Sequence, residues 1–144
     1  MTVFKLIHIH DIDDYATSDV KDLGFFSSAE KAVEAISLFL PLAGFRDYPN
    51  GFLISRHDVS FSRKVKDPFV HEVVFSFHDK NWDYEYENVL GIYSTKSDAL
   101  IAKKEFIELN KRPHAIYSAK LVKQVWINSR KLDEPNRFWA EGFL

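Results

Sequence analysis

The sequence contains no cysteine, and only five glycines, five prolines and one methionine among its 144 residues. Without cysteine there is no disulfide, thiolate nucleophile or Cys-based zinc site, which suits a reducing compartment, and we expect a cytoplasmic protein. The low glycine and proline content excludes collagen-like and low-complexity architectures. No segment approaches the ~20 apolar residues that span a bilayer, and residues 1–5 carry no basic leader. We therefore expect a soluble, untargeted protein without a membrane partner.

A large charge of either sign is also missing. The net charge of -2 and the pI of about 6.3 argue against nucleic acid as a partner, because phosphates demand a basic surface. The acidic residues are nevertheless concentrated in two segments, residues 11–22 and 79–87. The hydrophobic content of 46%, with thirteen phenylalanines, is ample for a core.

The chain carries an internal repeat. The segment from Leu23 to Ala32 returns 67 residues later as Leu90 to Ala99. In each copy an apolar-Gly-aromatic strand end is followed by a hydroxyl-rich helix start, which indicates one supersecondary unit used twice. Ser27 and Glu30 have the spacing of a capping box.

Period-two and helical patterns predict the remaining elements. In the first copy we expect a strand over residues 3–10, an exposed connection over 11–22, a strand over 22–26, a helix over 29–40 and a strand from 52. In the second copy we expect strands from 73 and from 89, a helix from Ser94 and Thr95 to Asn110, and a long strand over 114–128. The apolar face of the first helix is predicted to comprise Ala29, Ala32, Val33, Ile36, Phe39 and Leu40.

These elements predict an α+β fold of two tandem β-β-α-β repeats, with an antiparallel sheet or sheets and two helices packed on one layer. The first repeat spans residues 1–60, residues 61–69 connect, and the second repeat with an aromatic C-terminal tail spans 70–144. Because a unit of ~60 residues is marginal alone, we expect the repeats to form one compact domain.

Several motifs of the first repeat occur together with the tail. They are His10 at a strand end, Gly24-Phe25-Phe26-Ser27-Ser28, Ala32 and Ala35, Gly44-Phe45, Tyr48-Pro49-Asn50-Gly51-Phe52-Leu53-Ile54, and Trp139-Ala140-Glu141-Gly142-Phe143. This pattern resembles a family of small bacterial domains of unknown function. Small bacterial α+β proteins of this style include immunity proteins, so the resemblance implies toxin neutralisation and names no catalytic residue. The second copy before the tail departs from the pattern.

Metal and catalytic chemistry are weaker hypotheses. His8 and His10 share one face of a strand, and with Asp11 and Asp13 they offer ligands for a divalent ion, which would make a metal-dependent enzyme. One strand does not close such a site, so we predict no metal and no cofactor. Ser27 lacks the flanking glycines of a nucleophile elbow and Ser94 likewise, and we predict no catalytic residue and no enzyme.

The two acidic connections are the predicted functional site, because carboxylates beside tyrosine and tryptophan suit a basic protein partner. The predicted partner-binding residues are Asp11, Asp13, Asp14, Tyr15, Asp79, Trp82, Asp83, Tyr84, Glu85, Tyr86 and Glu87. The function expected is a non-enzymatic immunity protein that binds a toxin through these loops. Three alternatives stay open: a structural or homodimeric module, loops whose charge serves solubility, and the metal-dependent enzyme through His8 and His10.

Overall fold

A computed structural model of the chain describes residues 1–12, 17–59, 68–79, 84–117 and 121–140. The chain divides into two compact units: unit 1 is built from residues 1–59 and 130–144, and unit 2 from residues 60–129. Each unit holds a three-stranded antiparallel sheet and a helix, which confirms the α+β class and the tandem β-β-α-β arrangement. No helix in these ranges is long and apolar enough to cross a membrane.

Unit 1 begins with strands β1 (Thr2–Ile12) and β2 (Thr17–Phe26), followed by helix α1 (Ala29–Phe39) and strand β3 (Phe52–Asp58). The strand order is β2-β1-β3, so β1 is central. Helix α1 packs on this sheet, and its buried face joins a core with Leu6, Leu23 and Phe26. The sheet and the helix thus bury one shared apolar layer.

Unit 2 repeats this order with β4 (Phe69–Asp79), β5 (Tyr84–Tyr93), helix α2 (Lys96–Asn110) and β6 (Val125–Lys131). The strand order is β5-β4-β6. Its core includes Val73, Phe75, Ala99, Val122 and Val125. The short helix α3 (Arg137–Ala140) follows β6 in the chain and belongs to unit 1.

The strand registers show how closely the units correspond. In unit 1, Leu6 pairs with Gly24 and Ile7 with Asp22, so Leu23 forms a bulge. Unit 2 has the same irregularity, since Val73 pairs with Gly91 and Val74 with Val89. Bulges bend a strand and fix its register. The shift of 67 residues therefore holds in both strands of each hairpin.

Two sequence expectations about strands are wrong. The connection predicted over residues 11–22 is mostly paired, because β1 reaches Ile12 and β2 starts at Thr17. The strand predicted over 114–128 is a series of turns up to Tyr117, a 3₁₀ helix over Leu121–Gln124 and only then β6. His114 has a φ of 66°, a left-handed conformation that interrupts any strand.

The helix predictions need smaller corrections. Ser28, not Ser27, caps α1, and its Oγ accepts a hydrogen bond from Lys31 N at 3.2 Å. On α1 the buried residues are Ala32, Ala35 and Phe39, whereas Val33 is 56% exposed and Leu40 is 38% exposed. The apolar pattern alone gave too broad a buried face.

The segment after β6 packs on unit 1, although the sequence repeat places it in the range of the second copy. Asn136 N donates to Leu23 O at 2.9 Å, and its Nδ2 donates to Asp22 O at 2.8 Å. Trp139 packs against the unit 1 core. These bonds satisfy edge groups of β2, which lies at one side of its sheet.

Asp133 fixes this segment to the start of α1. Its carboxylate accepts hydrogen bonds from Ser27 N and Ser27 Oγ, both at 2.7 Å, and from Lys31 Nζ at 3.2 Å. Its own N donates to Phe25 O at 2.8 Å. Burial raises the pKa of Asp133, but the hydrogen bonds from Ser27 and Lys31 outweigh burial and hold the pKa below its usual value.

We expect Asp133→Asn to destabilise unit 1 at neutral pH by an amount that shrinks in acid. The carboxylate's contribution is complete above its ordinary pKa of 3.8 and is lost as the pH falls through the lower folded-state pKa. Urea unfolding at pH 7, 5, 4 and 3 measures this difference. Asp47→Asn, at an exposed turn position, is the matched control; a gap between Asp133→Asn and wild type that stays constant down to pH 3 would contradict the assignment.

Candidate functional site

Four polar side chains continue the core face of unit 1 beyond the apolar layer. His8 and His10 lie on one face of β1, as the sequence predicts, and they stand opposite Lys21 and Asp19 of β2. His8 is fully buried and Lys21 is 6% exposed. We call these four residues the polar layer. Burying such groups is unfavourable unless they find partners.

His8 is held by its ring nitrogen and by two aromatic rings. Its Nε2 lies 2.9 Å from Tyr48 O, and a carbonyl only accepts, so Nε2 carries the proton. The ring makes edge contacts with Phe45 at 4.9 Å and Phe52 at 4.8 Å between centroids. Nδ1 is buried and has no hydrogen-bond partner within the described part of the chain.

His10 lies between Tyr48 and Asp19. Its ring stacks on Tyr48, with centroids 4.0 Å apart and planes 24° apart. Its Nδ1 is 3.6 Å from Asp19 Oδ2, which is too long for a hydrogen bond. The described residues offer this buried nitrogen no hydrogen bond. His10 is thus oriented by stacking and by a nearby carboxylate.

Lys21 is a nearly buried cation with compensating partners. Its ammonium pairs with Asp19 Oδ2 and lies 5.7 Å from the Phe45 ring centroid and 5.3 Å from that of Trp139. A carboxylate and two aromatic faces offset part of the cost of removing the charge from water. The side chain is therefore fixed from both sides.

The turn before β3 closes over His8 because Gly51 has no side chain. Gly51 N donates to Tyr48 O at 3.1 Å, and Ile9 N donates to Gly51 O at 2.9 Å. A Cβ at this position would lie 2.4 Å from Ile9 O and 2.8 Å from His8 Nε2. The close approach requires glycine here.

Five of the residues quoted for the family resemblance lie at this place. His10, Phe45, Tyr48, Gly51 and Trp139 all contact one another or members of the polar layer. Sequence reasoning missed Lys21 as a member, although Asp19 and Lys21 alternate in step with His8 and His10.

Unit 2 has the same sheet positions without the polar layer. The register places Phe75 and Phe77 where unit 1 has His8 and His10, and Asn88 and Tyr86 where it has Lys21 and Asp19. Phe77 and Tyr86 are in ring contact at 5.2 Å. The fold thus does not require the polar residues. The register equates His78 with Asp11.

The described members of the predicted partner-binding set lie at or near the last pairs of the two hairpins. Five of them fall outside the described residues: Asp13, Asp14, Tyr15, Trp82 and Asp83. Four more are described through their backbone, at the last pairs of the hairpins: Asp11, Asp79, Tyr84 and Glu85. Glu87 is exposed, whereas Tyr86 is half-buried against Phe77.

Two of the other histidines, His57 and His71, lie within hydrogen-bonding distance of a serine hydroxyl. His71 Nδ1 lies 2.7 Å from Ser129 Oγ, and burial, followed by the charge of Lys96, lowers the pKa of His71. His57 Nε2 lies 2.9 Å from Ser55 Oγ.

In the ranges that the structure describes, no three His, Asp or Glu residues are grouped so that they could hold a metal ion.

A groove of about 560 Å³ runs along α1, beside the hydrogen bonds that Asp133 accepts from Ser27 and Lys31. Lys31, Glu34, Leu38, Asp133 and Pro135 are among its lining residues. Two of its three ionic lining groups, Lys31 and Asp133, pair with each other. This ion pair ties the segment after β6 to α1.

Comparison with protein-family models, with curated proteins and with solved structures finds no match to this chain.

We expect Gly51→Ala to destabilise unit 1 by about 1–3 kcal/mol, the usual cost of overpacking. The added methyl must displace Ile9 O or the ring of His8. Urea unfolding measures the loss. The neighbouring exposed Asn50→Ala is the control and should change stability by no more than about 0.5 kcal/mol. Equal effects of the two variants would refute the close approach.

We further expect Asp19→Ala to cost more stability than a triple change to the unit 2 residues: His10→Phe, Asp19→Tyr and Lys21→Asn. The single change leaves buried Lys21 without its carboxylate, a loss of up to about 3 kcal/mol given that Asp19 is one-third exposed. The triple change removes the charges together. The denaturant midpoints of both variants measure these losses of stability. A larger loss of stability in the triple variant would contradict the equivalence of the two units.

Proposed function

We propose that the protein is a non-enzymatic, cytoplasmic binding protein of bacteria, most concretely an immunity protein that neutralises a toxin through the ends of its two hairpins. The observation that supports this proposal is the shared register of the hairpins. It leaves four connecting residues in each, 13–16 and 80–83, with Tyr15 and Trp82 at equivalent chain positions. Residues 13–16 carry two aspartates, whereas 80–83 carry one lysine and one aspartate, so the acidic character of the second hairpin comes from the flanking Asp79, Glu85 and Glu87. Carboxylates beside an aromatic side chain in each hairpin suit a partner with a basic surface.

Two carboxylates of the first acidic segment already have partners within unit 1, so fewer charges are available to a protein partner than the sequence suggests. Asp19 pairs with Lys21, and Asp22 Oδ1 accepts a hydrogen bond from Gly24 N at 3.1 Å. Both carboxylates therefore serve the sheet. The proposed contact charges are those nearer the hairpin ends, at Asp11, Asp13, Asp14, Asp79, Asp83 and Glu85.

Charged groups and aromatic groups have different roles in such an interface. Long-range attraction between a negative and a positive surface raises the rate of association and weakens as salt is added. Tyrosine and tryptophan act as anchors, because they bury large areas with few rotatable bonds, and so slow dissociation. An inhibitor by occlusion needs both properties and no catalytic group.

We expect the combined change of Asp13, Asp14, Asp83 and Glu85 to Lys to weaken toxin binding by about 100-fold or more, since each reversal replaces attraction by repulsion. The partner for the measurement is to be sought in the adjoining gene, where the proposal expects a toxin to be encoded. Calorimetry at two salt concentrations gives the affinity and its ionic component. The control carries the same four reversals on exposed helix positions: Glu30, Glu34, Glu105 and Glu108.

Unchanged affinity of the hairpin variant would refute the assignment of the loops, and the absence of any toxin bound or neutralised would refute the function. Light scattering on the free protein tests the alternative of a homodimeric module. A stable dimer lost in Phe138→Ser, which changes a half-exposed residue of α3 and keeps Trp139, would favour that alternative.

A further inference from the structure

The sheet of unit 1 has two edges, and among the residues that the structure describes only one edge is covered. At the β2 edge, Asp133 N donates to Phe25 O and Asn136 N donates to Leu23 O. At the β3 edge, no strand of the described ranges pairs with the outer side. A free strand edge can add a further strand, because its N–H and C=O groups already point outward in a row.

The alternation of hydrogen bonds shows which groups of β3 point outward. Ile9 N donates to Gly51 O at 2.9 Å, and Val59 N donates to Met1 O at 2.8 Å. Both pairs continue the single register that joins β1 to β3. Since bonded and non-bonded pairs alternate in an antiparallel ladder, the odd-numbered residues of β3 bond to β1. The backbone groups of the even-numbered residues face away from β1, and these residues are Phe52, Ile54, Arg56 and Asp58.

Strand β3 lacks the features that usually keep a free edge unpaired. Its seven residues include no proline, and its register with β1 has no shift. The four consecutive residues 53–56 are exposed, and two of them are apolar, since Leu53 is 52% exposed and Ile54 is 37% exposed. The charged residues, Arg56 and Asp58, lie towards one end of the strand. The edge is therefore regular and partly apolar.

The order of residues in β3 is complementary to a second copy of the same strand. In an antiparallel pairing about a twofold axis at Ile54, the two Ile54 side chains face each other, and Phe52 of each copy faces Arg56 of the other. A guanidinium beside an aromatic ring is a favourable pair. An axis at Ser55 or Arg56 would bring the two arginines next to each other, where like charges repel. An axis at Leu53 would shorten the paired segment.

We propose that the protein forms a twofold dimer in which β3 of one copy pairs with β3 of a second copy, centred on Ile54. The three-stranded sheets of the two copies of unit 1 then continue as one six-stranded sheet. This dimer goes beyond the proposed function and does not rest on it. The end of the first hairpin, at Ile12 and Thr17, lies beyond the part of β1 that pairs with β3. The dimer therefore uses residues other than those of the proposed toxin contact.

Sedimentation equilibrium of the full chain, from micromolar to millimolar concentration, measures the association. We expect a concentration-dependent dimer, and we expect Ile54→Lys to weaken it about tenfold or more, because two ammonium groups then face each other. Val33→Lys changes an exposed apolar residue of α1 and is the matched control, which should leave the dimer unchanged. Urea unfolding of both variants verifies that they are folded.

A disulfide cross-link tests the register without the lysine variant, and the chain itself contains no cysteine that would compete. In the proposed pairing, Leu53 of one copy faces Ser55 of the other at a non-bonded position, where Cα atoms lie about 4.5 Å apart and a disulfide fits. Chains carrying Leu53→Cys and chains carrying Ser55→Cys are mixed in a glutathione redox buffer. The two chains differ in mass, so intact mass spectrometry separates the products. We expect the mixed disulfide to exceed its statistical share.

A chain that stays monomeric at every concentration would overturn the proposal, and so would a mixed disulfide at or below its statistical share. A dimer that Ile54→Lys leaves intact would also overturn it, and loss of that dimer in Phe138→Ser would assign the contact to α3 instead. None of these measurements involves a toxin. Failure of the immunity function would therefore leave the β3 dimer standing, and failure of the dimer would leave the immunity function standing.

Discussion

The hydrogen bond from buried His8 to the carbonyl of Tyr48 is the interaction on which the site of unit 1 depends. It joins the central strand of the sheet to the turn before β3, and it places Tyr48 over His10. The bond is made only because Gly51 allows the turn to approach the strand. A buried imidazole that donates a hydrogen bond to a carbonyl is held in one orientation, and it restricts the positions of the side chains packed against it.

The comparison of the two units shows that this order is not needed for folding. Unit 2 builds the same hairpin, with the same bulge, around phenylalanine and tyrosine at the equivalent positions. Buried charges are often replaced by apolar residues without loss of stability. A fold that keeps such groups in one copy and dispenses with them in the other is the observation that gives the polar layer of unit 1 its interest as a candidate site.

Much of the fold was predictable because it follows from local patterns. The repeat, the helix starts and the alternation of His8 with His10 are properties of short segments. The exceptions arise where distant residues compete. Residues 11–12 and 17–22 look like parts of a polar loop, yet they are paired with each other and with β1 in the hairpin of β1 and β2. Ser27 has the spacing of a cap, yet Asp133 binds it from 106 positions away.

The sequence by itself determined the α+β class, the two copies and the acidic-aromatic ends of the hairpins, since composition and periodicity carry that information. Only the tertiary structure decided that Lys21 and Asp19 belong with His8 and His10, and that Tyr48 and Trp139 cover them. The physical reason is that these contacts join residues from separate elements. Their energies depend on register and burial, which no single segment specifies.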